Sequence, residues 1–235
     1  MRYNYLYMDP WSVEEKECNK QRRPLYICLS GNSGVGKSTL LKKLSTHLFK
    51  QDSYTIAIDE KSVHHSLLPY LFDDTKNYGY LIQLNFMIQR ALIIKSWLEK
   101  GYNLIMERSH LEDYIFINFM LKSGYINKIQ YDSYIELWKR ISDLLKDPDI
   151  IAFIDYPVEY SLAHLESDEI HGIRPKEFPS EEMKSKWITG WHAEYQNYLD
   201  NLPEHLRQRV MVCNHPDDIE AFSDMIIQKT TFLRS

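Results

Sequence analysis

Hydrophobic and polar positions change period along this chain. Five short runs are apolar with little alternation: 25–30, 54–59, 102–107, 149–155 and 208–213. Between them apolar residues recur every three or four positions, as at Leu40, Leu41, Leu44 and Leu48. That spacing predicts helices near 37–50, 77–99, 112–123, 130–146, 158–167, 180–201 and 216–231. Continuous apolar strands alternating with helices predict an α/β fold, a five-stranded parallel sheet flanked by helices on both faces. No internal repeat or low-complexity segment interrupts the pattern. In such sheets ligands bind at the carboxyl ends of the strands. The residues just past each run are therefore where chemistry is expected.

The first run leads directly into Gly31-Asn32-Ser33-Gly34-Val35-Gly36-Lys37-Ser38, with Thr39 and a helical pattern behind it. This is the phosphate-binding P-loop pattern G-x-x-x-x-G-K-[ST] in its required strand–loop–helix context. Glycines let backbone N–H groups turn inward around a phosphate, and the helix N-terminus adds partial positive charge. Lys37 is expected to reach the β- and γ-phosphates and Ser38 to ligate Mg²⁺. The second run ends at Asp59-Glu60, the third at Glu107-Arg108-Ser109 and the fourth at Asp155. Any one of these alone reads as a solvated strand-end charge. On one sheet edge with a P-loop, Glu60, Glu107 and Arg108 read as chemistry. A carboxylate there can hold a metal or accept a proton, and an arginine can neutralise a transferring phosphoryl group.

Composition narrows the classes. A net charge of −5 gives no electrostatic support for a nucleic-acid partner. Cys18, Cys28 and Cys213 are few, widely spaced and odd in number. That usage fits reduced thiols in a cytoplasmic protein better than a disulfide framework or a zinc site. No run is long enough to span a membrane, and residues 1–24 lack the apolar core of a secretory signal. The expected organisation is an N-terminal extension over 1–24 and one P-loop domain over 25–235.

With the P-loop, Glu60 and the Glu107-Arg108-Ser109 triplet together, the chain resembles the deoxynucleoside kinases from about residue 25 onward. The resemblance implies a P-loop NTP hydrolase/nucleoside kinase fold and Mg²⁺-dependent transfer of the γ-phosphate of ATP to the 5′-hydroxyl of a deoxynucleoside, in nucleotide salvage. It implies a glutamate after the second strand, matched by Glu60. It also implies a glutamine and an arginine seven positions apart on a long helix, matched by Gln83 and Arg90 in YLIQLNFMIQR. The triplet continues as His110-Leu111-Glu112-Asp113, similar to bacterial members, and Gln83, Arg90 and Asp113 fall at base-reading positions. The residue chemistry agrees. Glu60 is the candidate base for the 5′-hydroxyl, and Arg108 is to hold the transferring phosphate and help fix Glu60. Glu107 is to anchor Mg²⁺ beside Ser38. Gln83 and Arg90 share a helix face, and Gln83 offers both a donor and an acceptor. An Arg90–Asp113 pair is available to orient the remaining polar edge, with Phe116 nearby as either an aromatic wall or core. Taken together these favour a purine deoxynucleoside or deoxycytidine over thymidine. No role falls to His64, His65 or His110. The resemblance also implies a homodimer. Its face is expected from the helix around Ile115, Phe119 and Met120 and from Tyr131 to Trp138, segments that read equally well as core.

Three departures stand out. Glu60 is followed by Lys61-Ser62-Val63 and two histidines where the family usually has Glu-Pro-Val and then a tryptophan. Phe72 falls where a tyrosine usually meets the sugar 3′-hydroxyl, so discrimination for an intact deoxyribose is expected to weaken. The family's arginine-rich lid is acidic here. Across about 166–180 only Arg174 and Lys176 are cationic candidates for ATP, and losing cations costs rate in phosphoryl transfer. Two other readings follow: another small-molecule P-loop kinase, such as a nucleoside monophosphate kinase, or a catalytically weak nucleotide-binding regulator. The first needs more positive charge than Lys61, Lys76 and two histidines supply. The second rests on the acidic lid.

Overall fold

The structure is a computed structural model that describes residues 23–60 and 68–234. Five strands, β1 (Tyr26–Gly31), β2 (Thr55–Ile58), β3 (Asn103–Glu107), β4 (Ile150–Ile154) and β5 (Val210–Cys213), form one sheet in the order β2-β3-β1-β4-β5. All pairs are parallel, with Ile27 opposite Ile105 on one side and Ile150 on the other. The α/β expectation is met. The three central strands are buried along their whole length, which is why they read as unbroken apolar runs.

Alternate residues of these strands serve opposite faces. Ile27, Leu29, Ile105, Ile150, Ala152 and Ile154 pack against Leu40, Leu44 and Leu48 of α1 (Lys37–Gln51) and Phe222 and Ile226 of α9 (Ile219–Arg234). The other face carries α2 (Leu68–Asp73), the long α3 (Thr75–Glu99), α4 (Asp113–Lys122), α5 (Lys128–Ser142), α6 (Val158–Ile170) and α7 (Glu181–Asp200). Their core joins Phe153 to Met87, Phe116, Phe119, Trp187, Trp191 and Tyr195. A four-residue helix, α8 (Glu204–Arg207), precedes β5.

Helix ends move by a few residues from the predicted ones, for local reasons. The helix predicted over 77–99 starts at Thr75 because Asp74 caps it, accepting from the Asn77 N–H. The one predicted over 130–146 runs 128–142, its start set by a capping box between Asn127 and Gln130. Ser180 caps α7 in the same way, accepting from the Met183 N–H. Ile115, Phe119 and Met120 are buried within the chain, so α4 is core and not a dimer face. Cys28 and Cys213 are buried free thiols, while Cys18 and the predicted extension over 1–22 lie outside the described residues. Among the described residues no helix is long and apolar enough to cross a membrane.

Candidate active site

The P-loop is held in shape by close backbone packing. A Cβ on Gly31, at φ 133°, would lie 2.5 Å from the Ile154 carbonyl oxygen, and one on Gly34, at φ 79°, would lie 2.6 Å from that of Ser161. Only glycine fits either place. The Asn32 amide donates to the Ile188 carbonyl at 2.8 Å, tying the loop to α7. His164 of α6 lies 2.6 Å from the Gly34 carbonyl oxygen through Nδ1. Lys37 is buried and donates from Nζ to the carbonyls of Gly31 (3.0 Å) and Asn32 (2.6 Å). Burial, then the Arg108 cation, pull its pKa down to about 8 against the opposing pull of Glu107 and Glu60.

Parallel register brings the second cluster to the same edge. Leu29 of β1 faces Glu107 of β3, and Ile58 of β2 faces Met106. Glu60, just past β2, thereby meets Arg108. The Arg108 Nε donates to Glu60 Oε2 at 2.6 Å, and the Glu60 N–H donates to Glu107 Oε2 at 3.3 Å. Burial would raise the Glu60 pKa, but Arg108, Arg90 and Lys37 outweigh it and hold the carboxylate at about 2. Arg108 is the one non-glycine residue with positive φ (64°) among the described residues. Its guanidinium is buried and lies 4.6 Å over the Phe116 ring. Its Nη1 donates to the Tyr195 hydroxyl.

Arg90 is buried and ion-paired to Asp113, and its Nη2 lies 3.8 Å from Glu60 Oε1. It is not the surface charge that its place on a helix alone would allow. Gln83 sits two turns earlier on the same face of α3, also buried. Three of these buried polar atoms lack a protein partner: Gln83 Oε1, Arg90 Nε and Asp113 Oδ2. Burial pushes the Asp113 carboxyl up to about 6, with Arg90 pulling the other way. Phe116 is core, with the Arg108 guanidinium over its ring.

Glu107 Oε1 is a buried acceptor without a protein partner. Burial raises the Glu107 pKa, and Lys37 and the Ser38 hydroxyl oppose the rise. One carboxylate and one hydroxyl beside a phosphate loop suit Mg²⁺, which keeps waters and takes phosphate oxygens for its remaining ligands. They do not suit a metal held by protein alone. Among the described residues no group of three or more His, Cys, Asp or Glu forms a metal cage.

The lid keeps its cations paired. Residues 166–170 are the last turn of α6, so the segment between helices is 171–180. Arg174, the cation expected to serve the donor phosphates, donates to Glu177 at 2.5 Å. Lys176 pairs with Glu181 at 3.2 Å, and the buried Lys184 pairs with Glu169 at 2.7 Å and Glu181 at 2.9 Å. Phe72 packs its ring on Phe178 of this segment, centroids 4.4 Å apart, and on Trp187. Lys61, His64 and His65 lie outside the described residues.

Two residues that were given no role join the cluster. Glu112 is 1 % exposed, and its carboxylate accepts from Ser30 Oγ (3.0 Å), the Ser109 N–H (2.8 Å) and the Tyr195 hydroxyl (2.6 Å). In sequence, Ser109-x-x-Glu112 reads as a helix-capping box, and it is one. Tyr195 reads as one more apolar position, four beyond Trp191 and eight beyond Trp187. Nothing in the sequence marks it; only its burial shows that the hydroxyl needs a partner.

Comparison with known proteins agrees with the fold. A family profile described as "Deoxynucleoside kinase" matches residues 27–226. A deoxyadenosine/deoxycytidine kinase of Bacillus subtilis is 26% identical over 176 residues, covering 74% of this chain and 76% of that one. A deoxyguanosine kinase of Lactobacillus johnsonii is 31% identical over 145 residues, covering 60% and 62%. The solved deoxyadenosine kinase of M. mycoides with bound dATP shares the fold, with a TM-score of 0.68 at 18% identity over 88% of this chain and 100% of that one. The chain belongs to the deoxynucleoside kinase family, whose members are phosphotransferases that use a nucleotide phosphate donor.

Proposed function

We propose that this deoxynucleoside kinase transfers the γ-phosphate of ATP to the 5′-hydroxyl of a purine deoxynucleoside or deoxycytidine, in preference to thymidine. The carrying observation is the pair of unpartnered buried acceptors, Gln83 Oε1 and Asp113 Oδ2, against a single unpartnered donor, Arg90 Nε. An unpaired buried polar atom costs free energy, so the site favours a base that supplies donors. Adenine and cytosine present an exocyclic amino group, and glutamine and aspartate read such groups. Thymine presents a carbonyl oxygen at that place and keeps one donor, N3–H; guanine also presents a carbonyl there but brings two donor groups, N1–H and its 2-amino group.

In this reading the 5′-oxygen attacks the γ-phosphorus as the bond to the β–γ bridging oxygen breaks, and ADP leaves. The hydroxyl proton passes to Glu60. A carboxylate held at about 2 is a weak base, yet a loose phosphoryl-transfer transition state needs the proton removed late. The negative charge of a bound triphosphate also offsets the cationic field that keeps the Glu60 pKa low. Lys37, with the P-loop N–H groups from Gly31 to Thr39, cradles the triphosphate. Ser38 and Glu107 hold Mg²⁺, which supplies charge neutralisation at the phosphates. Arg174, paired to Glu177 through Nη2, is the lid cation closest to a donor role, and residues 25–235 act as one domain whose lid is centred on 171–180. The enzyme serves nucleotide salvage in the cytoplasm.

We extend the proposal to a homodimer, through the exposed stripe Tyr78, Leu81, Ile88 and Leu92 of α3. The stripe repeats at helical spacing on a helix whose opposite face is core, as a contact face does. The test of function is a panel of four deoxynucleosides with Mg-ATP, read as ADP formed. Thymidine is expected to have the lowest kcat/KM, and a panel led by thymidine would overturn the base reading. The regulator reading gains support only from the paired lid cations. ATP binding without turnover on any deoxynucleoside would favour it.

A further inference from the structure

Arg108 is the most constrained side chain at this sheet edge. Its backbone is left-handed, and its guanidinium is buried with Nε and Nη1 both committed. Nε holds Glu60. Nη1 meets the Tyr195 hydroxyl, which in turn donates to Glu112 Oε1 at 2.6 Å. Arg108 Nη1 is itself 3.9 Å from that oxygen, too far for a hydrogen bond. A tyrosine oxygen therefore stands between a buried cation and a buried anion, accepting from one and donating to the other. Glu112 in turn is fixed by Ser30 Oγ, at the end of β1, and by the Ser109 N–H. The relay thus ties Arg108 to β1 just ahead of the P-loop.

That arrangement has a cost and a use. A second direct ion pair, to Glu112 beside the one to Glu60, would leave less of the guanidinium's charge for a ligand, since charge-assisted pairs are short and strong. With a hydroxyl interposed, Glu112 still counters the burial of Arg108 while the cation keeps its charge for a ligand. The Tyr195 ring is independently wedged against Phe116 and Phe153, so the position of its oxygen is set by core packing. We propose that Tyr195, backed by Glu112, is a positioning residue that aims the Arg108 guanidinium at the transferring phosphate. The inference rests on the proposed role of Arg108.

The test is Tyr195→Phe, which removes one oxygen and keeps the ring. Positioning of a charge-stabilising group matters in the transition state more than in substrate binding. The expected result is a fall in kcat of about tenfold or more, with KM for ATP and for the deoxynucleoside each within about threefold and the thermal midpoint near that of the unaltered chain. Unchanged kcat, or a rise in KM alone, overturns the proposal. The second measurement repeats the change in an Arg108→Lys background. If Tyr195 acts through Arg108, adding Tyr195→Phe there costs little more; a further full loss, including loss below detection, means that it acts independently and overturns the proposal. Full activity of Arg108→Lys alone would instead remove the role of Arg108. Lack of turnover by the unaltered chain would count against the proposed reaction. Each failure is therefore distinguishable from the others.

Discussion

The sheet edge and the lid treat their charges in opposite ways. At the edge, Lys37, Arg90 and Arg108 are buried and shared among Glu60, Glu107, Glu112 and Asp113, which reach them from two strand ends and a helix start. Several of their polar atoms remain without a protein partner. In the lid, Arg174 and Lys176 are paired with carboxylates within five residues of themselves. The edge is built for a ligand, its charges held by long-range packing and left incomplete. The lid satisfies its own charges locally. A phosphoryl-transfer site needs preorganised cations, and here the preorganised ones all lie at the edge.

The largest expected effects follow from that contrast. Lys37→Met and Arg108→Ala should each lower kcat by about 1,000-fold, the scale seen when a phosphate-stabilising cation is removed. ADP release with saturating Mg-ATP and acceptor measures this. If Arg174→Ala costs as much as either, the contrast is wrong and the lid carries the catalytic charge. Glu60→Gln keeps the shape and removes the base and anion, and about a 100-fold fall in kcat is expected. A variant with full activity would show that the proton leaves by another route.

The strands and the P-loop were legible because their signals are local. Apolar runs without alternation announce buried parallel strands, and the glycine pattern is a steric requirement confined to eight positions. Gln83, Arg90 and Asp113 were legible as a group only through the resemblance, although their burial follows from an apolar helix face. Tyr195 was not legible. It stands 87 positions from Arg108, and nothing in WITGWHAEY separates its hydroxyl from the indoles before it. Glu112 was hidden for a different reason: its capping role is real and sufficed to explain it. The helix Asp113–Lys122 could be read as surface or core because nearly every face is apolar. A helix apolar all round is an interior one, and burial of Ile115, Ile117, Phe119 and Met120 follows that rule. In the lid, the scarcity of cations was readable, but Lys184 meeting Glu169 required the turn between two helices.

Smaller effects separate the two ends of the edge by pH. The free-enzyme kcat/KM for the deoxynucleoside should fall about tenfold per pH unit once pH drops well below the Asp113 value of about 6. There protonation removes an acceptor from the base. The kcat/KM for ATP should fall on the other side, as pH rises through the Lys37 value of about 8 and the cation is lost. Glu60, held at about 2, adds no limb between them. An acid limb in the ATP profile matching that for the nucleoside would place Asp113 in general folding and not in base reading.

The smallest effect tests the lid directly. Arg174 and Glu177 are both mostly buried, 15 % and 11 % exposed, and meet at 2.5 Å. A pair so placed is either a strut that shapes the 171–180 segment or a latch that withholds Arg174 from the donor. Glu177→Gln distinguishes them, because the amide can still accept from the guanidinium while the opposing charge is gone. A latch predicts that KM for ATP falls about fivefold, since a partly screened ion pair of roughly 1 kcal/mol no longer competes with the triphosphate. Added salt should then raise KM more steeply than in the unaltered chain, because a freed cation meets the phosphates through solvent. A strut predicts the reverse: KM rises, the thermal midpoint drops, and the contacts of Phe178 with Phe72 and Trp187 loosen with the segment that carries them. In the first case the edge and the lid share one phosphate site whose outer cation is held in reserve. In the second the edge works alone.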